Sequence, residues 1–238
     1  MIMFNGRPLP VGVKLIGYTL WSPEMELRSI NVPGQRGLLR TGSKIGARSV
    51  RLDLVMEANN SWQASQIAAQ LRAWCMGAGP GVGKLKLPRL PALYLEAECE
   101  TYPAIDMSKH WEPFEASFRC FRPEFISEQE NVAQIPSALQ VGGNVSTPVL
   151  MQFVSASELT NPVWTIDAHT IAVNGTVSPG TIIIDTNEER AKITNDGEDI
   201  TGLVTLESDL AIMLEPGTHT FTAPAGLTGT VAWRNRYI

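Results

Sequence analysis

The chain has 238 residues, 44% hydrophobic and 18% charged, values that exclude a disordered or fibrous protein. Its net charge of −5 is unevenly spread: residues 1–130 hold 15 Lys and Arg against 13 Asp and Glu, and residues 131–238 hold 4 against 11. So acidic a second half excludes a broad phosphate-binding face there, and the asymmetry between halves implies two domains.

The N-terminal "MIMFNGRPLP" lacks the long apolar run of a signal peptide. Further on, "GQRGLLRTGSKIGARSVR" interleaves Arg36, Arg40, Lys44, Arg48 and Arg51 with glycine. It reads as a mobile loop, one able to order against a neighbouring subunit. Val50, Leu52, Leu54 and Met56 then alternate with Arg51, Asp53 and Val55, as a half-buried strand does. In "NNSWQASQIAAQLRAWCMG", Asn60 or Ser61 caps a helix whose Ile67, Leu71, Trp74 and Cys75 share one face; Gly77 ends it.

Two strands follow, "ALYLEAECETY" and "FEASFRCF", joined by a longish loop as a hairpin. On the first, Leu93, Leu95, Ala97 and Cys99 take one face and Glu96, Glu98 and Glu100 the other. Those glutamates form either a solvated outer face or an acidic wall turned toward something that must not stick. From Glu128 to Thr147 the patterning fades into what reads as a linker, which puts the boundary near residue 130. Eight short segments then run from "PVLMQFVSA" to "TGTVAWRNRYI", separated by turn residues such as Asn174-Gly175, Pro179-Gly180 and Pro216-Gly217. The predicted class is therefore mainly β: a β-barrel or sandwich with one packed helix over residues 1–130, and an antiparallel sandwich over 131–238.

Reactive centres are hard to find. "GAGPGVGKLKLP" ends in Gly83-Lys84 like a P-loop, but it follows a helix and precedes a strand, and Leu85 stands where Mg²⁺ needs a hydroxyl. His110, His169 and His219 are far apart and lack metal-ligand spacing. The carboxylates of "DTNEERAKITNDGED" have Arg190 where a calcium loop needs glycine. Cys75, Cys99 and Cys120 read as buried, reduced thiols with no activating base beside them. The expectation is a protein with no enzymatic activity, no cofactor and no metal.

The order of parts resembles the distal tail protein family of bacteriophages with long non-contractile tails. The N-terminal match runs through "SVRLDLVMEA", the Ser61–Met76 helix, "LYLEAECETY" and "FEASFRCFRPEF". The C-terminal match is to the family's galectin-like sandwich, through "TIIIDTNEERAKITNDGEDITG", "IMLEPGTHTFT" and "GTVAWRNRYI". This resemblance implies a structural virion protein that forms a homo-hexameric ring at the tail tip, continues the DNA channel, and is made in the host cytoplasm. It implies as partners the tail tube protein, the tail-tip hub protein and, in some phages, a receptor-binding protein, with DNA only in passage and no membrane. Glu96, Glu98 and Glu100 would then line the channel, and Arg36, Arg40, Lys44 and Arg48 would belong to an inter-subunit loop. The alternative is a carbohydrate-binding module that stacks host saccharide on Trp164 or Trp233, although a tryptophan on a sandwich strand is more commonly core.

Overall fold

The computed structural model describes the chain apart from residues 32–35, 37, 78–80, 107, 109–110, 136–137 and 188. Among the described residues one α-helix is set among antiparallel strands, so the fold is mainly β. The chain divides into the units Met1–Phe125 and Ile126–Ile238. The cut falls about five residues before the expected boundary near residue 130, between the buried Phe125 and Ile126.

The first unit holds β1 (Met3–Phe4), β2 (Arg7–Pro8), β3 (Val13–Leu20), β4 (Met25–Asn31), β5 (Leu38–Ile45), β6 (Arg48–Glu57), α1 (Ser61–Met76), β7 (Gly83–Lys86), β8 (Leu93–Thr101) and β9 (Trp111–Cys120). Seven of these pair in the order β2-β1-β7-β8-β9-β6-β3, while β4 and β5 pair only with each other. The Asn60 side chain caps α1, accepting from Gln63 N–H at 2.8 Å, and the Gln63 side chain accepts from Asn59 N–H at 2.8 Å. This reciprocal arrangement satisfies backbone donors that a helix start leaves open. The inner face of α1 buries Ala64, Ile67, Ala68, Leu71, Trp74 and Cys75. There Trp74 and Phe118 meet edge-to-face at 5.9 Å, and Phe4 contacts both, at 5.8 and 5.1 Å.

Gly77 and Gly83 serve packing. A side chain at Gly77 would come within 2.5 Å of Asn5, and one at Gly83 within 2.5 Å of Asn5 and 2.7 Å of Phe4. Asn5 also locks β7 in place, accepting from Lys84 N–H at 2.8 Å and donating its own N–H to Lys84 O at 2.9 Å.

The second unit is a sandwich. Strands 131–134, 228–233, 147–155, 180–185, 192–195 and 198–199 pair in that order, and strands 138–141, 217–222, 163–166 and 169–172 form the facing sheet. Alternate residues of both sheets meet in one core, where the Phe153 ring stacks on Trp164 at 5.9 Å and on Phe221 at 5.8 Å. The expected linker is corrected here: residues 131–134 and 138–141 are strands, one in each sheet. They bury Leu139 and Val141, but four-residue strands give too few alternations to stand out in the sequence. The turn at Asp196-Gly197 has φ of 46° and 87°, the left-handed pair that a two-residue hairpin loop requires.

Thr186 is fully buried, and its hydroxyl accepts from Val149 N–H at 2.9 Å and donates to Ile212 O at 2.8 Å. Thr186→Val preserves the shape and removes the hydroxyl, leaving Val149 N–H without that partner. The expected loss is about 1–3 kcal/mol in urea unfolding, the desolvation cost of such a group.

Candidate assembly surfaces

Strand alternation puts Glu96, Glu98 and Glu100 on the face of the sheet turned away from α1, because their neighbours Leu95, Ala97 and Cys99 are buried. The three do not stand alone. Glu96 lies opposite Lys84 and Glu98 opposite Arg119 in the ladder. Arg119 lies 3.5 Å from Glu100 and 4.0 Å from Glu24; Arg51 lies 3.2 Å from Asp53 and 3.5 Å from Glu115. The face therefore carries Glu24, Asp53, Glu57, Glu96, Glu98, Glu100 and Glu115 against Lys14, Arg51, Lys84, Lys86 and Arg119, a small acidic excess. Such exposed pairs contribute at most about 1 kcal/mol each to stability, so the charge pattern has little weight in holding the unit together.

The second feature is the β4–β5 ribbon. It continues the β3–β6 pair beyond the sheet, tied at its root by Trp21 N–H to Ser49 O at 3.1 Å and Glu24 N–H to Ala47 O at 3.0 Å. Every residue of β4 is exposed. Residues opposite one another in an antiparallel ladder share a face. Near the root, Met25 with Ile45 and Leu27 with Ser43 form one face, and Glu26 with Lys44 the other. The register slips between Arg28 and Ser29, and beyond this bulge the apolar pair is Ile30 with Leu39, on the opposite face by alternation. Met25 is 67% exposed and Leu27 65%. A lone two-stranded ribbon is marginal in water, and one apolar on both faces lacks a partner within its own protomer.

The expectation of a mobile loop over the basic segment is thus corrected. Leu38–Ile45 is a paired strand and Arg48 begins β6. Arg36 and Lys44 are exposed, and the Arg40 side chain lies outside the described residues. Arg48 is buried, its guanidinium 4.8 Å from the centre of the Phe125 ring, and burial lowers its pKa, with Cys120 and Glu124 opposing. It stands apart from the ribbon residues. What sequence reading missed is β4 itself. The apolar alternation in "MELRSIN" breaks at Ser29, beside the point where Thr41 of β5 is skipped in the ladder.

The remaining candidates fall into place. Strand β7 follows α1, so the Gly83-Lys84 stretch has no helix start to aim at phosphate, and Lys84 Nζ lies 4.7 Å from the Tyr94 ring centre. Trp164 is 1% exposed and Trp233 7%, so neither offers a ring face to a sugar. His169 Nδ1 lies 2.7 Å from Asp209, and His219 Nδ1 2.6 Å from Asp167; His110 lies outside the described residues. Thr220 N–H and then His219 hold the Asp167 carboxyl below its usual range. All three thiols are buried, and burial pushes Cys120 up to about 12 against the pull of Arg48. Among the described residues, no group of three or more His, Cys, Asp or Glu side chains is placed to hold a metal, and no helix is long and apolar enough to cross a membrane.

Comparisons with known proteins follow these lines. Residues 142–237 match the family described as siphovirus-type tail component, C-terminal domain. No curated protein sequence matches. Among solved structures, the chain is similar to the Dit protein of phage SPP1, described as a paradigm of the hub adsorption apparatus in phages infecting Gram-positive hosts. That match has a TM-score of 0.83 and 14% identity, over 100% of this chain and 98% of the other. The baseplate of phage P2 in its activated conformation is similar at TM-scores of 0.52 with calcium and 0.54 with strontium, at 6% and 7% identity, each over 93% of this chain and 90% of the other. The resemblance to the distal tail proteins is borne out: residues 142–237 match the C-terminal domain of the siphovirus-type tail component family, and the whole chain has the fold of the phage SPP1 Dit protein.

Proposed function

We propose that this chain is the distal tail protein of its phage and works by assembly rather than by catalysis. Six copies close into a ring through the Met1–Phe125 unit, which joins the tail tube protein to the tail-tip hub protein. The Ile126–Ile238 sandwich carries further tip components, among them a receptor-binding protein. The observation that carries this reading is the β4–β5 ribbon, whose apolar residues are exposed on both faces. A soluble protomer gains nothing from such an arm, whereas a ring with head-to-tail contacts buries it on the next copy. The free edge of β3 offers unpaired backbone groups to the same neighbour.

The face bearing Glu96, Glu98 and Glu100 lines the channel in this reading. Its acidic excess, repeated around the ring, keeps DNA phosphates from adhering in passage; screening over about 8 Å confines the effect to the wall. The protein is made in the host cytoplasm and ends in the virion. A saccharide-binding role gains no support from the buried Trp164 and Trp233.

Light scattering over a dilution series, with and without tail-tip partners, tests the proposal. The expected result is a species six times the 26.0 kDa protomer mass. A protomer that stays monomeric in every mixture overturns it.

A further inference from the structure

Among the described residues, the most exposed large apolar side chain is Leu206, at 105%. It stands with Glu207 at the centre of a turn closed by Ser208 N–H donating to Thr205 O at 3.0 Å. Turn centres favour Gly, Pro, Asn, Asp and Ser, so a leucine there gains nothing within the protomer. The turn is also held rigid. Thr205 N–H donates to Ala172 O and Asp209 N–H to Thr170 O, each at 2.9 Å, and the Ser208 hydroxyl accepts from Ala172 N–H at 2.8 Å. These bonds fasten the segment along strand 169–172, the outermost of its sheet. The Glu207 carboxylate has no hydrogen bond or ion pair among the described residues.

The first unit carries the complement. Arg72 and Met76 of α1, with Tyr102 and Pro103 beyond β8, line a groove of about 440 Å³. Pro103 is buried, while Met76 and Tyr102 are about half exposed and leave the groove walls apolar. Arg72 is the one charged residue of α1, and its guanidinium likewise has no hydrogen bond or ion pair among the described residues. We propose that the Leu206-Glu207 turn of one copy docks in the α1 groove of the next, Leu206 against Met76, Tyr102 and Pro103, and Glu207 against Arg72. This contact rests on the reading that copies of the chain assemble into a ring, and it names a second seam of that ring. An exposed apolar side chain beside an unpaired anion meets an apolar groove beside an unpaired cation, so shape and charge are both complementary. The turn is already rigid and docks without the ordering cost of a loose loop. Turn and groove are different patches of one chain, so the contact runs head to tail and closes with the ring. Beside α1, the groove lies on the side of the sheet opposite Glu96, Glu98 and Glu100, away from the lumen in that reading.

Charge reversal of the full chain tests the contact. Glu207→Arg and Arg72→Glu each set like charges against one another, and their combination restores an opposite pair. Sedimentation velocity over a dilution series reads assembly at low salt, where the pair is least screened. Each single reversal is expected to raise the protein concentration at half assembly by about tenfold. The double reversal returns it to within about threefold of the unaltered chain. Leu206→Ser weakens assembly as a single reversal does, and neither reversal rescues it. All three positions are exposed, so the thermal midpoint of the protomer stays unchanged in every variant and serves as the check on folding. Assembly at the unaltered concentration in both single reversals, or a double reversal no better than either alone, overturns the docking and leaves the ring reading standing. A chain that is monomeric in every condition, tail-tip partners included, overturns both.

Discussion

Leu27→Asp combined with Ile30→Asp abolishes ring formation at protein concentrations where the unaltered chain assembles, and leaves the thermal midpoint of the protomer unchanged. Both side chains lie on β4, whose residues are all exposed in the protomer, so their replacement removes no buried contact within it. Surface changes of that kind move folding stability by at most about 0.5 kcal/mol. The same residues lie on either side of the bulge and on opposite faces of the ribbon, and in the proposed ring both would be buried against the neighbouring copy. Central apolar contacts of an interface contribute about 2 kcal/mol or more each, and a carboxylate buried there adds its own desolvation cost. Two such changes weaken each contact by about a thousandfold, and the ring repeats the contact at every subunit. Sedimentation velocity reads the result directly. Rings that persist in the double variant refute a role for the ribbon in assembly.

Phe118→Ala costs about 3–5 kcal/mol, the range for deleting a large buried aromatic side chain. Phe118 is fully buried, lies edge-to-face with Phe4 and Trp74 at 5.1 and 5.9 Å, and sits opposite Val50 and Cys99 in the ladders on either side of β9. Its loss opens a cavity where α1 meets the sheet, in an element whose seam is already lined by small residues such as Ala64 and Ala68. Urea unfolding followed by near-ultraviolet circular dichroism checks the magnitude. A loss below about 1 kcal/mol would mean that the site relaxes around the missing ring and that the aromatic triad is not the anchor of α1.

Phe118 and the ribbon illustrate what the sequence discloses and what it withholds. Phe118 was legible because β9 alternates cleanly, with Phe114, Ala116, Phe118 and Cys120 on one side. The helix was legible because Asn60, the apolar spacing and Gly77 all point to the same boundaries. The ribbon was not, because its apolar residues change face at Ser29 and no single period describes them. Strands 131–134 and 138–141 escaped for a different reason, having too few residues to reveal a period of two. The glutamates of β8 were placed on an outer face from alternation alone; their cationic neighbours Lys84 and Arg119 come from distant strands, and only the ladder brings them alongside.

Electron cryomicroscopy of the assembled chain tests the central claim most directly. The account predicts six copies around an open channel, Glu96, Glu98 and Glu100 turned to the lumen, and each β4–β5 ribbon covered by the adjacent copy. A particle of any other closed symmetry, or six-fold rings with those glutamates on the outer rim and the ribbons in solvent, contradicts it.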